Sequence, residues 1–182
     1  MHEDRYWEHP GFAYTGPHRY SLTVRACERL RLFDNRELAG CVRTQILRAA
    51  PTSGYAVVVY CIMPTHVHLL VEGRPGRSPL SDFVKRAKQY AGFYGRKIIG
   101  APVWQTGYLG RVLRDTEDTR TVVAYILDNP VRHRLVGSAR DYPLSGSGVC
   151  EKTELMDLVQ DRERWLTPYA PDLEGRAVGI PV

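Results

Sequence analysis

Acidic side chains are almost missing from the middle of this chain. Between Arg74 and Arg114 the sole acid is Asp82, against Arg74, Arg77, Lys85, Arg86, Lys88, Arg96, Lys97, Arg111 and Arg114. Together with the net charge of +5, that block favours a polyanionic partner. The balance reverses after Cys150, where Glu151, Glu154, Asp157, Asp161, Glu163, Asp172 and Glu174 outnumber Lys152, Arg162, Arg164 and Arg176. Cysteine is also sparse: Cys27, Cys41, Cys61 and Cys150 include no CxxC spacing, so reduced, mostly buried thiols of a cytosolic protein are expected. No run approaches the roughly 18 apolar residues of a membrane span. The polar start Met1-His2-Glu3-Asp4-Arg5 has no apolar segment of the signal-peptide kind. No internal repeat, low-complexity tract or second domain is evident in the 182 residues, which suffice for one real core.

Taken in order, residues 1–17 form an irregular lead-in rich in proline and glycine. Residues 18–26 alternate Tyr20, Leu22 and Val24 with Ser21, Thr23 and Arg25, a strand with one solvated or substrate-facing side. Asn35 offers a cap for a helix over 36–50, and Tyr55 to Met63 is a nearly continuous apolar run suited to a central strand buried on both faces. Pro64-Thr65 then makes an antiparallel hairpin with the strand His66-Val67-His68-Leu69-Leu70-Val71-Glu72. A second helix is expected from Ser81 to about Lys97, and an extended segment over 103–113. A third helix starts at Asp115-Thr116-Glu117-Asp118 and runs to about Asn129, where Pro130 disfavours continuation. A last helix is read over 152–165. The order β-α-β-β-α-β-α predicts an α+β protein, a ferredoxin-like four-stranded antiparallel sheet with helices packed mainly on one face. It spans residues 18–148, followed by an acidic, partly helical extension over 149–182.

The chemistry centres on His66 and His68. A strand repeats its facing every two residues, so both rings point to one side, with Cα atoms roughly 6.5–7 Å apart. Such a pair either converges on a metal ion or is simply two satisfied strand histidines. The chain is too short for a TIM-barrel hydrolase of about 250 residues. Leu70, next on the same face, disfavours a triple-histidine nucleotide hydrolase. Two ligands do not make a site. Tyr125 and Asn129 stand four apart on the third helix, so Asn129 could add a carbonyl oxygen with the Tyr125 hydroxyl one turn away. Two imidazoles and an amide oxygen suit Mg²⁺ or Mn²⁺ holding a phosphate. Standing alone, each helix residue reads more readily as a packed tyrosine or a helix-terminal asparagine.

MPTHVHLLVEG, the basic helix, VWQTGYLGRVLR, YILDNPVRHRLV and DYPLS follow one another between about Tyr14 and Ser145. This ordered set resembles the single-tyrosine HUH transposases of the IS200-like superfamily, and among them the REP-associated tyrosine transposase branch. The resemblance implies a metal-dependent single-stranded DNA endonuclease and strand transferase acting at hairpin or repeat DNA. It maps the metal pair onto His66 and His68, the nucleophile onto Tyr125 and the third ligand onto Asn129, where relatives outside the branch often carry Gln. Mg²⁺ or Mn²⁺ is the implied cofactor. The implied setting is the bacterial cytoplasm at the nucleoid, with a monomer or homodimer and no membrane partner. Phosphodiester attack would leave a 5′-phosphotyrosine and a free 3′-OH without ATP. Because only about 0.1% of a tyrosine is ionised at neutral pH, an ion and nearby arginines would have to favour the phenolate. Arg25, Lys85, Arg86, Lys88, Arg111, Arg114 and Arg132 are the expected DNA contacts, with Tyr90, Tyr94, Trp104 or Tyr108 as stacking candidates and Tyr90 as a reserve nucleophile. A transposase-derived DNA-binding protein that no longer cuts is the alternative.

Overall fold

The computed structural model of the chain describes residues 16–76, 79–113 and 118–160, with the backbone alone for 158–160. The irregular lead-in up to residue 15, the start of the third helix at 115–117, Arg114 and everything beyond 160 lie outside the described residues. Among the described residues five antiparallel strands form one sheet in the order β4-β1-β3-β2-β5. They are β1 (Arg19–Arg25), β2 (Tyr55–Met63), β3 (His66–Gly73), β4 (Leu109–Val112) and β5 (Ser145–Gly146). The helices are α1 (Arg36–Thr52), α2 (Leu80–Ile99), α3 (Thr119–Arg132) and α4 (Lys152–Gln160).

Two departures from the expected layout matter for function. The sheet has five strands rather than four, because the segment after α3 returns to the free edge of β2. Tyr142 is buried there and donates its hydroxyl to the Ile62 carbonyl at 2.6 Å, while the Ile62 amide donates to Leu144. The helices also occupy both faces. On one, α1 and α2 cover Tyr20, Leu22, Val24, Val67 and Leu69. On the other, α3 and α4 cover Val59, Cys61, Met63 and Leu70 with Val122, Ile126, Leu155 and Met156.

The apolar run of β2 makes this two-sided core possible. A register shift between Val57 and Val59 inserts one residue, and the alternation changes phase there. Tyr55 and Val57 pack with the α1/α2 layer, whereas Val59, Cys61 and Met63 pack with α3 and α4. A strictly alternating strand could not survive such a phase change without turning polar groups inward.

Local chemistry explains the element ends. Asn35 caps α1 by accepting from the Leu38 amide at 3.1 Å. Asp118 caps α3 by accepting from the Arg120 amide at 2.9 Å. The expected strand over 103–113 shrinks to Leu109–Val112, with a lone bridge between Trp104 and Ala26. Between these pieces Gly107 adopts a left-handed φ of +76°, and the Lys88 ammonium donates to the carbonyls of Gln105 at 2.7 Å and Gly107 at 2.6 Å. Ser81 does not cap α2, which begins one residue earlier after Pro79 without a side-chain cap.

The Tyr142 hydroxyl ties the 142–146 segment to the strand that ends beside the histidines. Tyr142→Phe removes one buried hydrogen bond, so a loss of about 1 kcal/mol and a fall of roughly 2–4 °C in thermal midpoint are expected by calorimetry.

Candidate active site

His66 and His68 face the α3 side of the sheet, as their spacing requires. In the antiparallel register His66 lies between Arg25 on β1 and Met63 on β2, and His68 lies between Thr23 and Cys61. The two Nε2 atoms approach to 2.9 Å with the rings nearly perpendicular at 82°. Each Nδ1 meets a threonine hydroxyl: Thr65 Oγ1 at 2.8 Å from His66, and Thr23 Oγ1 at 3.0 Å from His68. With Nδ1 protonated and donating to threonine, both Nε2 atoms turn to one point, the arrangement by which a supporting hydrogen bond orients a metal-bound histidine. Two adjacent ligands about 2.1 Å from one octahedral ion stand about 3 Å apart, so the observed separation fits a shared ion.

Both rings are held neutral. Burial, with like charge at His133 and Arg25, pushes His66 down to about 4. The buried His68 is likewise held well below the ordinary histidine range, chiefly by burial and then by His66 and His133. A neutral imidazole is the form that binds metal. The same shift sets a pH dependence. The unfolded chain binds protons near the ordinary value of about 6.5 that the folded rings refuse, so stability is full above that pH and falls toward about 4. Thermal midpoints between pH 7 and 5 should therefore decline in the metal-free protein, and His66→Ala should flatten part of that slope. A flat wild-type profile would contradict the desolvated pair.

The second half of the site arrives on α3. Its first residue is tied to the sheet: Arg19 bonds Glu72 through Nε at 2.6 Å and donates from Nη1 to Thr119 Oγ1 at 2.6 Å. From that end of β3 the helix runs back across β2 and β3 toward the His66 end, burying Val122, Val123, Ile126 and Leu127. Tyr125 is half-buried against this core, with the Arg132 guanidinium 4.9 Å from its ring centroid. A cation at that range over the ring helps fix its position.

Asn129 is buried one turn after Tyr125. Its Nδ2 donates to the Tyr125 carbonyl at 2.8 Å and lies 3.5 Å from the Ile126 carbonyl. The Ile126 carbonyl is the one that Pro130, lacking an N–H, cannot serve. The asparagine thus splints the helix past the proline, and α3 continues to Arg132 rather than ending at Asn129. It stops when Arg134 turns left-handed at φ +56° and the Leu135 amide bonds the Pro130 carbonyl. With Nδ2 committed to the backbone, Oδ1 is the amide atom left for a ligand. Among the described residues no three His, Cys, Asp or Glu side chains converge as a metal cluster, so a third ligand drawn from those residues has to be of another type.

The structure separates the expected DNA-binding residues. Arg25 and Arg111 share the histidine face by register, and Arg132 stands beside Tyr125. Lys85, Arg86 and Lys88 are on α2, in the layer across the sheet from the histidines, so they do not line the same path. Lys88 is moreover engaged with two loop carbonyls, which gives it a structural task. Tyr90, the reserve nucleophile, packs in that opposite layer with Arg48 5.5 Å from its ring centroid. Of the stacking candidates, Tyr108 is buried and Trp104 packs on Phe33 at 5.4 Å; Tyr94 alone is exposed. Sequence reasoning missed Thr23 and His133. Both were detectable in kind: Thr23 lies on the polar side of β1, and His133 follows Asn129 at helical spacing, with its backbone amide bonding the Asn129 carbonyl at 2.9 Å.

All four cysteines are unpaired thiols, and burial raises Cys61 to about 12. No described helix is long and apolar enough to cross a membrane.

Comparison with known proteins places this architecture. Residues 16–129 match the family model described as Transposase IS200 like, a span that holds both histidines, Tyr125 and Asn129. A REP-associated tyrosine transposase of Escherichia coli (strain K12) is 28% identical over 105 residues, 57% of this chain and 61% of the relative. The match therefore spans about three fifths of that curated relative's length. A solved structure of a REP-associated tyrosine transposase bound to a REP hairpin shares the fold, with a TM-score of 0.64 at 21% identity over 96% of this chain and 98% of that one. With most of the chain inside the family model and the same fold in a solved relative, the chain belongs to the IS200-like transposase family.

Proposed function

We propose that the chain is a metal-dependent single-stranded DNA endonuclease and strand transferase that uses Tyr125 as its nucleophile. The observation that carries this reading is the 2.9 Å convergence of His66 and His68 Nε2 on the sheet face covered by the helix that bears Tyr125 and Asn129. His66, His68 and Asn129 would hold Mg²⁺ or Mn²⁺, which supplies positive charge to a bound phosphodiester. Arg132 steadies the Tyr125 ring, and Arg25 and Arg111 give the same face cationic character for the backbone. In the cleaving step the Tyr125 Oη loses its proton and bonds to phosphorus. The P–O3′ bond breaks, and the departing oxygen takes up a proton as a free 3′-OH. The 5′-phosphotyrosine keeps the bond energy, so a second 3′-OH can reverse the step on a new strand without ATP.

Hairpin or repeat DNA is the proposed substrate, since the solved relative is bound to a REP hairpin. Because α3 packs on the sheet of its own chain, one chain carries every group named here. A monomer suffices on that ground, and the bacterial cytoplasm is the compartment in which it would meet DNA. Labelled hairpin oligonucleotides with single-stranded flanks, incubated with the protein and Mn²⁺, should give a covalent adduct that survives a denaturing gel and disappears with EDTA. Hairpin binding that persists in EDTA with no adduct in any divalent ion would overturn the enzyme reading and identify a DNA-binding protein that no longer cuts.

A further inference from the structure

The positive charge of the chain is concentrated away from the histidines. Helices α1 and α2 together carry eight basic residues against two acids, an excess of six, while the whole chain has a net charge of +5. Lys88 is turned inward to the loop carbonyls. The others project from the helix layer, and among the described residues Arg36, Arg43, Lys85, Arg86 and Arg96 have no acidic partner within ion-pair distance. Unpaired cations gathered on one layer repel one another and gain by meeting a polyanion.

The same layer exposes aromatic rings. Phe93 is 59% and Tyr94 40% exposed, and Phe93 is the most exposed large apolar residue described. Their rings meet edge to face with centroids 5.1 Å apart, and the Lys97 ammonium sits 4.5 Å from one centroid and 5.9 Å from the other. Arg86, Tyr90, Phe93 and Lys97 recur at helical spacing and so form one stripe along α2. Arg48 reaches from α1 over the Tyr90 ring at 5.5 Å and joins the two helices into one surface. A single exposed ring is ordinary for a soluble protein. Two adjoining rings within a stripe of unpaired cations match what single-stranded nucleic acid needs, charge along the backbone and flat faces for bases.

We propose that the outer surface of α1 and α2 is a second nucleic-acid-binding face, which takes single-stranded nucleic acid through its cations and the Phe93/Tyr94 pair without a divalent ion. The sheet separates it from His66 and His68, so the strand held there is a different segment from the one at the histidines. It shares with the cleaving reading the class of ligand and nothing else.

The test uses fluorescein-labelled dT30 and the full chain, with anisotropy followed through a salt series in EDTA. Wild type should bind without divalent ion. Lys85→Gln/Arg86→Gln/Lys97→Gln should weaken binding at least about tenfold and lower the salt slope by about 2, from three lost phosphate contacts at about 0.7 each. Phe93→Ala/Tyr94→Ala should weaken binding about tenfold or more with the slope unchanged, as expected for lost stacking. All five side chains are on the outer side of α2, and far-UV circular dichroism checks that the helix is intact. Wild-type affinity in either variant overturns the proposal. Adduct yield on saturating hairpin, scored in parallel, reports on the histidine face, so the two readings fail separately.

Discussion

Tyr125→Phe should abolish the covalent DNA adduct and reduce strand cleavage by at least about a thousandfold, because removing the nucleophile of a covalent mechanism leaves no alternative path of similar rate. The substitution removes one oxygen and keeps the ring, so its packing against the core under α3 and its place beside Arg132 remain. Hairpin affinity and thermal midpoint should stay near wild type. That combination separates a nucleophile from a tyrosine that only packs, whose replacement by phenylalanine would spare the adduct. Tyr90→Phe is the matched control. It lies in the layer across the sheet from the histidines and should leave the adduct intact. Equal adduct from Tyr125→Phe and wild type would remove Tyr125 from the mechanism.

The second large effect is expected at the histidine pair. His68→Ala should abolish metal-dependent cleavage and weaken Mn²⁺ binding, read as free Mn²⁺ by electron paramagnetic resonance, by about a hundredfold or more. The pair is one unit: each Nε2 is 2.9 Å from the other, and a lone imidazole on a strand has little affinity for a divalent ion. Thr23→Val keeps the shape but leaves His68 Nδ1 without its hydroxyl partner, and support of this kind is typically worth about 10–100-fold in affinity or activity. A graded series, with His68→Ala worst and Thr23→Val intermediate, would establish that the hydroxyl acts through the ring. Wild-type Mn²⁺ affinity in His68→Ala would dismiss the metal site altogether.

The hairpin that bears the pair was legible in the sequence because three local signals agree there: an apolar run, a Pro-Thr break and a strict alternation of His66, His68 and their apolar neighbours. Both strand bounds, 55–63 and the start at 66, match the structure. Tyr125 and Asn129 fell on one helix for the same reason, since four-residue spacing stacks side chains whatever the tertiary setting. What stayed hidden depends on layers and registers. An amphipathic helix shows that it has an apolar side but not which sheet face that side meets, so the cations of α2 seemed to belong with the histidines. Thr23 becomes a partner of His68 only through the β1–β3 register, which no local pattern encodes. Pro130 signalled a helix end, and the signal failed because Asn129 tends the carbonyl that the proline leaves unserved.

The make-up of the proposed ligand set has a further consequence. Two imidazoles and an amide are all neutral, and among the described residues no acid joins them as a metal cluster. Sites built from carboxylates cancel much of an ion's charge before substrate arrives; this one would leave the double charge uncancelled by the protein, for the singly charged phosphodiester to meet in part. The ion and the DNA then become each other's missing ligand, and each must raise the affinity of the other by the same factor. Such a protein would idle with a weakly held ion and load it firmly only on a strand. Its strand-cutting hazard to the cell would thus be gated by occupancy rather than by any moving part.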